Sequence, residues 1–451
     1  MTSKRVSVGE VFDASPVTSS YQIWVCFLCF LVTFLDGFDL TVIGVAIPKI
    51  ADFLHAKPSA LGLAMSTSGI GAIVGSIVLG MLADRFGRKW MLCVSALVFG
   101  LFTLLTVSIT SVGQLALFRF IAGLGIGGAV PNALAFGSEY ASSRLRKTFA
   151  ATMWAGIPTG ATLSGFVGAW FIPKFGWPSL FVLGGVTPII IALLAAAILP
   201  ESLEFLVGKG KNKMRVRNIV VKIAPDLARD QQVEFYPSQK KLPGVPVKNL
   251  FTDRRALMTI LFWLILAGSF YLTTILIAWA PTLLHKTGAT VVQYSLAFAA
   301  LNFGSIVAAI LAGRLMDLGN PYVILPIGFT VGFASLVAFG WFSGGSFLTA
   351  SLLSAACGFF INGSQAGTVA IVTVSYPPDI RGTAVGWTYA VAKIGNILAP
   401  AVGGYLLTMG WGVSRICSSN ALVGLFCAAL ILVLRGRAAA AARFQAEAVS
   451  R

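Results

Sequence analysis

Two carboxylates three residues apart, Asp36 and Asp39, sit in the stretch FLDGFDLTVIG, whose other side chains mostly suit hydrocarbon. On a helix this spacing puts both on one face. An aspartate at the middle of a bilayer costs roughly 2.5–3.5 kcal/mol to insert, so such a group normally faces a polar cavity or a partner. Arg119, in another apolar stretch, is the partner to test. Burial raises the proton affinity of a carboxylate and a nearby cation lowers it. Movement of the arginine would therefore change whether the acid holds a proton. Two acids for one arginine leave a titratable group to spare, which suits coupling of protonation to conformation. A static ion pair that fixes helix packing is the alternative.

No nucleophile–base set and no metal-ligand cluster stands out, so no covalent chemistry and no cofactor is expected; the chain does not read as an enzyme. The six cysteines all lie in apolar segments. Cys26 and Cys29 have CxxC spacing, but on an apolar helix without other ligand-like residues they read as small apolar filler.

These residues must be positioned by elements that live in lipid. Of 451 residues, 57% are hydrophobic and only 11% charged, against about 25% charged in a soluble domain, and mean hydropathy is +0.86. A spanning helix needs about 20 mostly apolar residues. Twelve candidates follow: 21–47, 59–83, 90–110, 114–138, 149–172, 179–200, 257–280, 292–315, 322–342, 346–373, 384–408 and 414–434. Barrel strands would alternate in character over about ten residues, so the class is an all-α integral membrane protein. The first twenty residues are polar, and the apolar stretch after them is too long for a signal-peptide core, so it is expected to stay as the first helix.

Lys and Arg in short loops mark the cytoplasmic side. They gather at Arg85/Arg88/Lys89, at Arg144/Arg146/Lys147 and above all in 201–256, with few on the opposite side. Both termini are therefore expected in the cytoplasm, and the net charge of +17 reads as a topology signal rather than as affinity for nucleic acid. The organisation expected is a tail (1–20), a six-helix bundle (21–200), a solvated central loop (201–256), a second bundle (257–434) and a tail (435–451). KGKNKMRVR in the loop can also meet anionic lipid head groups.

The halves carry a repeat. GAIVGSIVLGMLAD (71–84) and GSIVAAILAGRLMD (304–317) share Gly, Gly and Asp at the same spacing, and Tyr140/Arg146/Thr148 has an echo in Tyr376/Arg381/Thr383. Transporters built from such repeats bind near the membrane midplane. Between helices two and three, GMLADRFGRK resembles the G-x-x-x-D-R-x-G-R-K signature of the major facilitator superfamily, matching at Gly80, Asp84, Arg85, Gly87, Arg88 and Lys89. An anion such as Asp84 at the membrane edge, among cations and near a helix amino terminus, is favoured by the helix dipole and by charge-assisted hydrogen bonds. Such contacts can hold one conformation shut; Asp317 and Arg381 would be their second-half counterparts.

DGFD at 36–39, RFIAGLGIGGAVPNALAFGSEY at 119–140, WAPTLL at 279–284, GSQAG at 363–367 and YPPDIRGTAVGW at 376–387 together resemble the aromatic acid:proton symporter family of that superfamily. The resemblance implies that Asp36 and Asp39 are required for transport, that Glu139 is a further family feature, and that the cargo is an aromatic carboxylate such as a hydroxybenzoate. Where the family has arginine on helix eleven this chain has Lys393, which keeps charge but loses the bidentate fork. Lys393 has three roles open to it: holding a substrate carboxylate, reaching toward the cytoplasm, or pairing with a helix-one aspartate. Phe38, Trp154, Tyr271, Trp387 and Tyr389 offer ring faces, while Asn362 and Gln365 offer hydrogen bonds to ring hydroxyls. The expected activity is proton-driven import of that acid across a bacterial inner membrane by a functional monomer, with protons and lipids as its other partners. The rivals are a sugar, organic-acid or drug porter of the same superfamily, and a non-transporting sensor.

Overall fold

The computed structural model describes residues 5–14, 19–210, 213–225, 227, 233–237, 247–252 and 255–449. Among them are twelve helices long and apolar enough to cross a membrane. In chain order these are α1 (Ser20–Leu54), α2 (Pro58–Phe86), α3 (Arg88–Leu105), α4 (Val112–Glu139), α5 (Arg146–Phe175) and α6 (Pro178–Ile198). Then come α7 (Ala256–Lys286), α8 (Val291–Leu318), α9 (Pro321–Phe342), α10 (Phe347–Ser375), α11 (Pro378–Thr408) and α12 (Val413–Val449). Exposed Leu193, Ile310 and Leu352 show the lipid-facing side of such helices. Apolar residues run round the whole circumference because one side meets protein and the other hydrocarbon.

The expected helix ends at 47 and 280 both stop before a proline. The structure carries α1 through Pro48 and α7 through Pro281. Prolines are tolerated inside membrane helices because packed neighbours and local adjustment satisfy the freed backbone groups. The offset that relates the two glycine repeats also relates Pro48 to Pro281 and Gly44 to Ile277. At that last pair the helices touch: a Cβ on Gly44 would lie 2.1 Å from the Ile277 carbonyl oxygen. The first repeat glycines behave alike too. A Cβ on Gly71 would meet the Phe120 carbonyl of α4 at 2.1 Å, and one on Gly304 the Ala355 carbonyl of α10 at 2.2 Å. Small residues let backbones approach this closely. Helix α11 begins six residues earlier than expected, at Pro378, because proline suits the first helical turn. In α10 a π-helical turn, Gly358–Asn362, interrupts the regular ladder.

By packing the chain forms two compact units. The first is Met1–Leu40, Ile70–Ala161 and Pro178–Leu242; the second is Thr41–Gly69, Thr162–Trp177 and Pro243–Arg451. The division passes through α1, α2 and α5. Within the second unit the later part of α1 is tied to α5 by Thr41 Oγ1 and Ser164 Oγ at 2.7 Å. Ser66 of α2 donates to the Ile397 carbonyl of α11 at 2.6 Å.

The segments before α1 and after α6 are folded where they are described. Strand β1 (Arg5–Ser7) pairs in parallel with β2 (Glu234–Tyr236), Val6 opposite Phe235. Ser7 and Glu10 then form a capping box for the short helix Val8–Asp13. Val8, Val11 and Phe12 are buried with Tyr140 and with Val216, Val220 and Ile223 of the helix Lys213–Ile223. A tail read as polar and a loop read as solvated thus join the apolar core of the first unit.

Candidate functional site

Helix α1 runs without a break past Asp36 and Asp39, and α4, capped by Ser111 at its start, carries Arg119 into the bundle. The two meet in the first unit. Arg119 Nη1 donates to Asp39 Oδ1 and Oδ2 at 3.1 and 3.0 Å. Asp39 is 2% exposed and Arg119 1%. Two threonines on α3 and the turn after it complete the arrangement. Thr103 donates to Asp39 Oδ1 and accepts from Arg119 Nη2, both at 2.9 Å, and Thr106 accepts from the same nitrogen at 3.3 Å. The Phe181 ring of α6 lies 5.5 Å from the guanidinium carbon. Arg119 Nε is buried with no hydrogen-bond partner among the described residues, so one of its five donors is unmatched. Chemically this is a buried carboxylate paired with a guanidinium whose own donors are not all matched among the described residues. Asp36, one turn before, is half-buried, while Phe38 is buried near Gly184. Thr103 and Thr106 escaped the reading of the sequence; their only signal is a pair of hydroxyls three apart on an apolar helix.

A second constellation gathers at helix ends. Arg88, first residue of α3, pairs with Glu139, last residue of α4, at 2.9 Å. Ser202, from the segment after α6, donates to the other Glu139 oxygen. Glu201 accepts from the Lys89 backbone N–H at 3.1 Å, so a carboxylate sits where the α3 dipole favours one. Gly87 makes room for it: its φ is +107°, and a Cβ there would lie 2.3 Å from Glu201 Oε2. The Tyr140 phenol donates to the Glu201 carbonyl at 2.9 Å. Burial holds that phenol well above its ordinary pKa, so it remains a donor.

Glu139 therefore lies with the signature residues, twenty residues along α4 from Arg119, or about 30 Å at 1.5 Å per residue. Glu201 and Ser202 stand in the stretch LPESLEFL that follows α6. Asp84 and Arg85 are exposed at the end of α2, Arg85 against the Phe86 ring and Lys89 against Trp90. Gly80 has open space where a Cβ would point.

The second unit holds the remaining candidates. Thr273 of α7 lies 2.6 Å from Asn362 Oδ1 and 3.0 Å from Gln365 Oε1, both on α10. Asn362 donates to Ser305 of α8 at 2.6 Å. The Tyr271 hydroxyl bonds Asn420 of α12, and Thr274 donates to Asn396 of α11 at 2.8 Å. Tyr389 meets Phe270 edge-on at 5.9 Å. Trp387 stacks on Trp263 at 6.3 Å and remains about half exposed, as does Trp154 in the first unit. Lys393 is half-buried on α11. Arg381 donates to the Tyr376 carbonyl at 3.3 Å, whereas the Asp317 side chain lies outside what is described. Among the described residues no group of His, Cys, Asp and Glu is placed to hold a metal ion.

The family profile described as Major Facilitator Superfamily matches residues 29–286 and again 262–450. The chain is 35% identical to the 4-hydroxybenzoate transporter PcaK of Acinetobacter baylyi over 406 residues, covering 89% of this chain and 88% of that one. It is 30% identical to a gallate transporter of Pseudomonas putida over 440 residues, covering 96% of each. Among solved structures, the xylose transporter XylE of E. coli, in a partially occluded inward open conformation, superposes with a TM-score of 0.70. That match covers 92% of this chain and 97% of XylE at 17% identity, a likeness of fold. Twelve spanning helices, the matched signature and relatives that cover nearly its whole length place the chain among transporters rather than enzymes: it belongs to the major facilitator superfamily, in the group that holds these aromatic-acid transporters.

Proposed function

We propose that this protein is a proton-coupled symporter that imports an aromatic carboxylate across a bacterial inner membrane, working as a monomer with both termini in the cytoplasm. The observation that carries the coupling is the buried Asp39–Arg119 pair with its two threonines. Protonation of Asp39 would discharge the carboxylate and release its hold on Arg119, whose Nε already lacks a partner among the described residues. Half-buried Asp36 on the same face supplies a second acid for the transfer. Electrostatic matching of this kind lets a proton change which helix arrangement is stable.

The cargo class is supported by relatives named for 4-hydroxybenzoate, gallate and benzoate. Lys393 is proposed to hold the carboxylate, and the rings and amides of the second unit to hold the rest. The Arg88–Glu139–Ser202–Glu201 cluster is proposed as one gate.

Purified protein in proteoliposomes, given an imposed pH gradient and labelled acids, tests this. Accumulation of hydroxybenzoate above the external concentration, abolished by a protonophore, is expected. Uptake of neutral sugars alone, or equilibration that ignores the gradient, would overturn it.

A further inference from the structure

Hydrogen-bond polarity in the second unit distinguishes the two amides on α10. Ser305 Oγ donates to the carbonyl of Leu301, one turn back on its own helix, at 3.0 Å. Its proton is thereby committed, so Ser305 accepts from Asn362 Nδ2 at 2.6 Å. That contact turns the Asn362 oxygen toward Thr273, which must donate to it, at 2.6 Å. A threonine hydroxyl has one proton. Gln365 Oε1, 3.0 Å from the same hydroxyl, therefore receives none.

If the Gln365 amide is turned about its last bond, its N–H meets Thr273 and its oxygen points elsewhere. In either orientation the carbonyl oxygen lacks a donor, and no other hydrogen bond reaches this half-buried side chain among the described residues. Asn362, by contrast, has both ends engaged within the bundle. The π-helical turn Gly358–Asn362 ends just before Gln365, and such turns recur at functional sites.

Resting on the aromatic-acid reading above, we infer that Gln365 is the residue that recognises a hydroxyl group on the aromatic ring, and that Thr273 and Ser305 position it by using up their own protons on Asn362 and Leu301. A hydroxyl both donates to the waiting carbonyl and accepts from the amide N–H. A carboxylate only accepts and is repelled by that oxygen. An unsubstituted ring leaves the amide unmatched, which is how a polar site discriminates against an analogue lacking the group. Asn362 acts as scaffold.

The test is the ratio of kcat/KM for 4-hydroxybenzoate to that for benzoate in proteoliposomes under one gradient. The wild type is expected to favour the hydroxylated acid. Gln365→Met should lower the ratio about tenfold, the effect of about one neutral hydrogen bond, whatever it does to the absolute rate of benzoate uptake. Gln365→Glu, which keeps acceptor oxygens, should slow both acids yet keep the preference. A wild-type ratio near one, a Met variant that keeps the preference, or a Glu variant that loses it would each overturn the inference. Should the Met variant not fold, the wild-type ratio and the Glu variant still decide. Wild-type protein that carries neither acid would instead overturn the aromatic-acid reading itself.

Discussion

Asp39 and Arg119 illustrate how one buried pair can serve both stability and work. Each is almost wholly removed from solvent, and each is the other's main compensation. Removing one partner of such a pair commonly costs 3–5 kcal/mol, because the other charge stays buried. Asp39→Asn is therefore expected to lower the unfolding midpoint in detergent and to abolish gradient-driven accumulation. Asp36→Asn is expected to abolish accumulation with a much smaller shift in midpoint, since Asp36 is only half-buried. Full accumulation by both variants in proteoliposomes would remove the coupling role. Thr103 matters at the same scale: its hydroxyl spends its proton on Asp39 and its lone pair on Arg119.

Among elements, the junctions carry the consequences. The α2–α3 turn needs Gly87 on two counts, a positive φ and the Glu201 carboxylate lying where a Cβ would go. Gly80, seven residues earlier in the same signature, has open space at that position. Gly87→Ala is expected to disturb the carboxylate at the start of α3, lowering both midpoint and transport rate severalfold. Gly80→Ala is expected to leave the midpoint of this conformation unchanged. Thermal unfolding of the two variants side by side checks the contrast; equal losses would mean that the local geometry does not govern the signature's glycines.

For the molecule as a whole, the folded segment Arg5–Asp13 ties the start of the chain to the segment after α6. It packs Phe12 against Tyr140 at 5.2 Å between ring centres, beside the Glu139 pair, and Asp13 accepts from the Ser143 backbone at 2.6 Å. Removing a buried phenylalanine side chain typically costs about 3–5 kcal/mol. Phe12→Ala in the full-length protein is expected to lower the unfolding midpoint and speed proteolysis of the segment after α6. Unchanged proteolysis would show that β1 and its helix do not brace that segment.

Composition and hydropathy alone determined that the chain is a twelve-helix membrane protein, because a bilayer imposes a length and an apolar character on every spanning helix. The signature at 80–89 and the acids in DGFD were equally plain, since charge in an apolar context is conspicuous. The capping box Ser7-x-x-Glu10 of Val8–Asp13 was missed, because it stands in a polar tail with no long apolar stretch beside it. Only tertiary structure decided that Asp39 holds Arg119, that Glu139 answers Arg88, and that Glu201 caps α3. It also decided that one proton on Thr273 must choose between two amides. Those outcomes depend on which side chains from distant helices arrive within about 3 Å of one another. Periodicity along a single helix that is apolar on every side does not encode that distance.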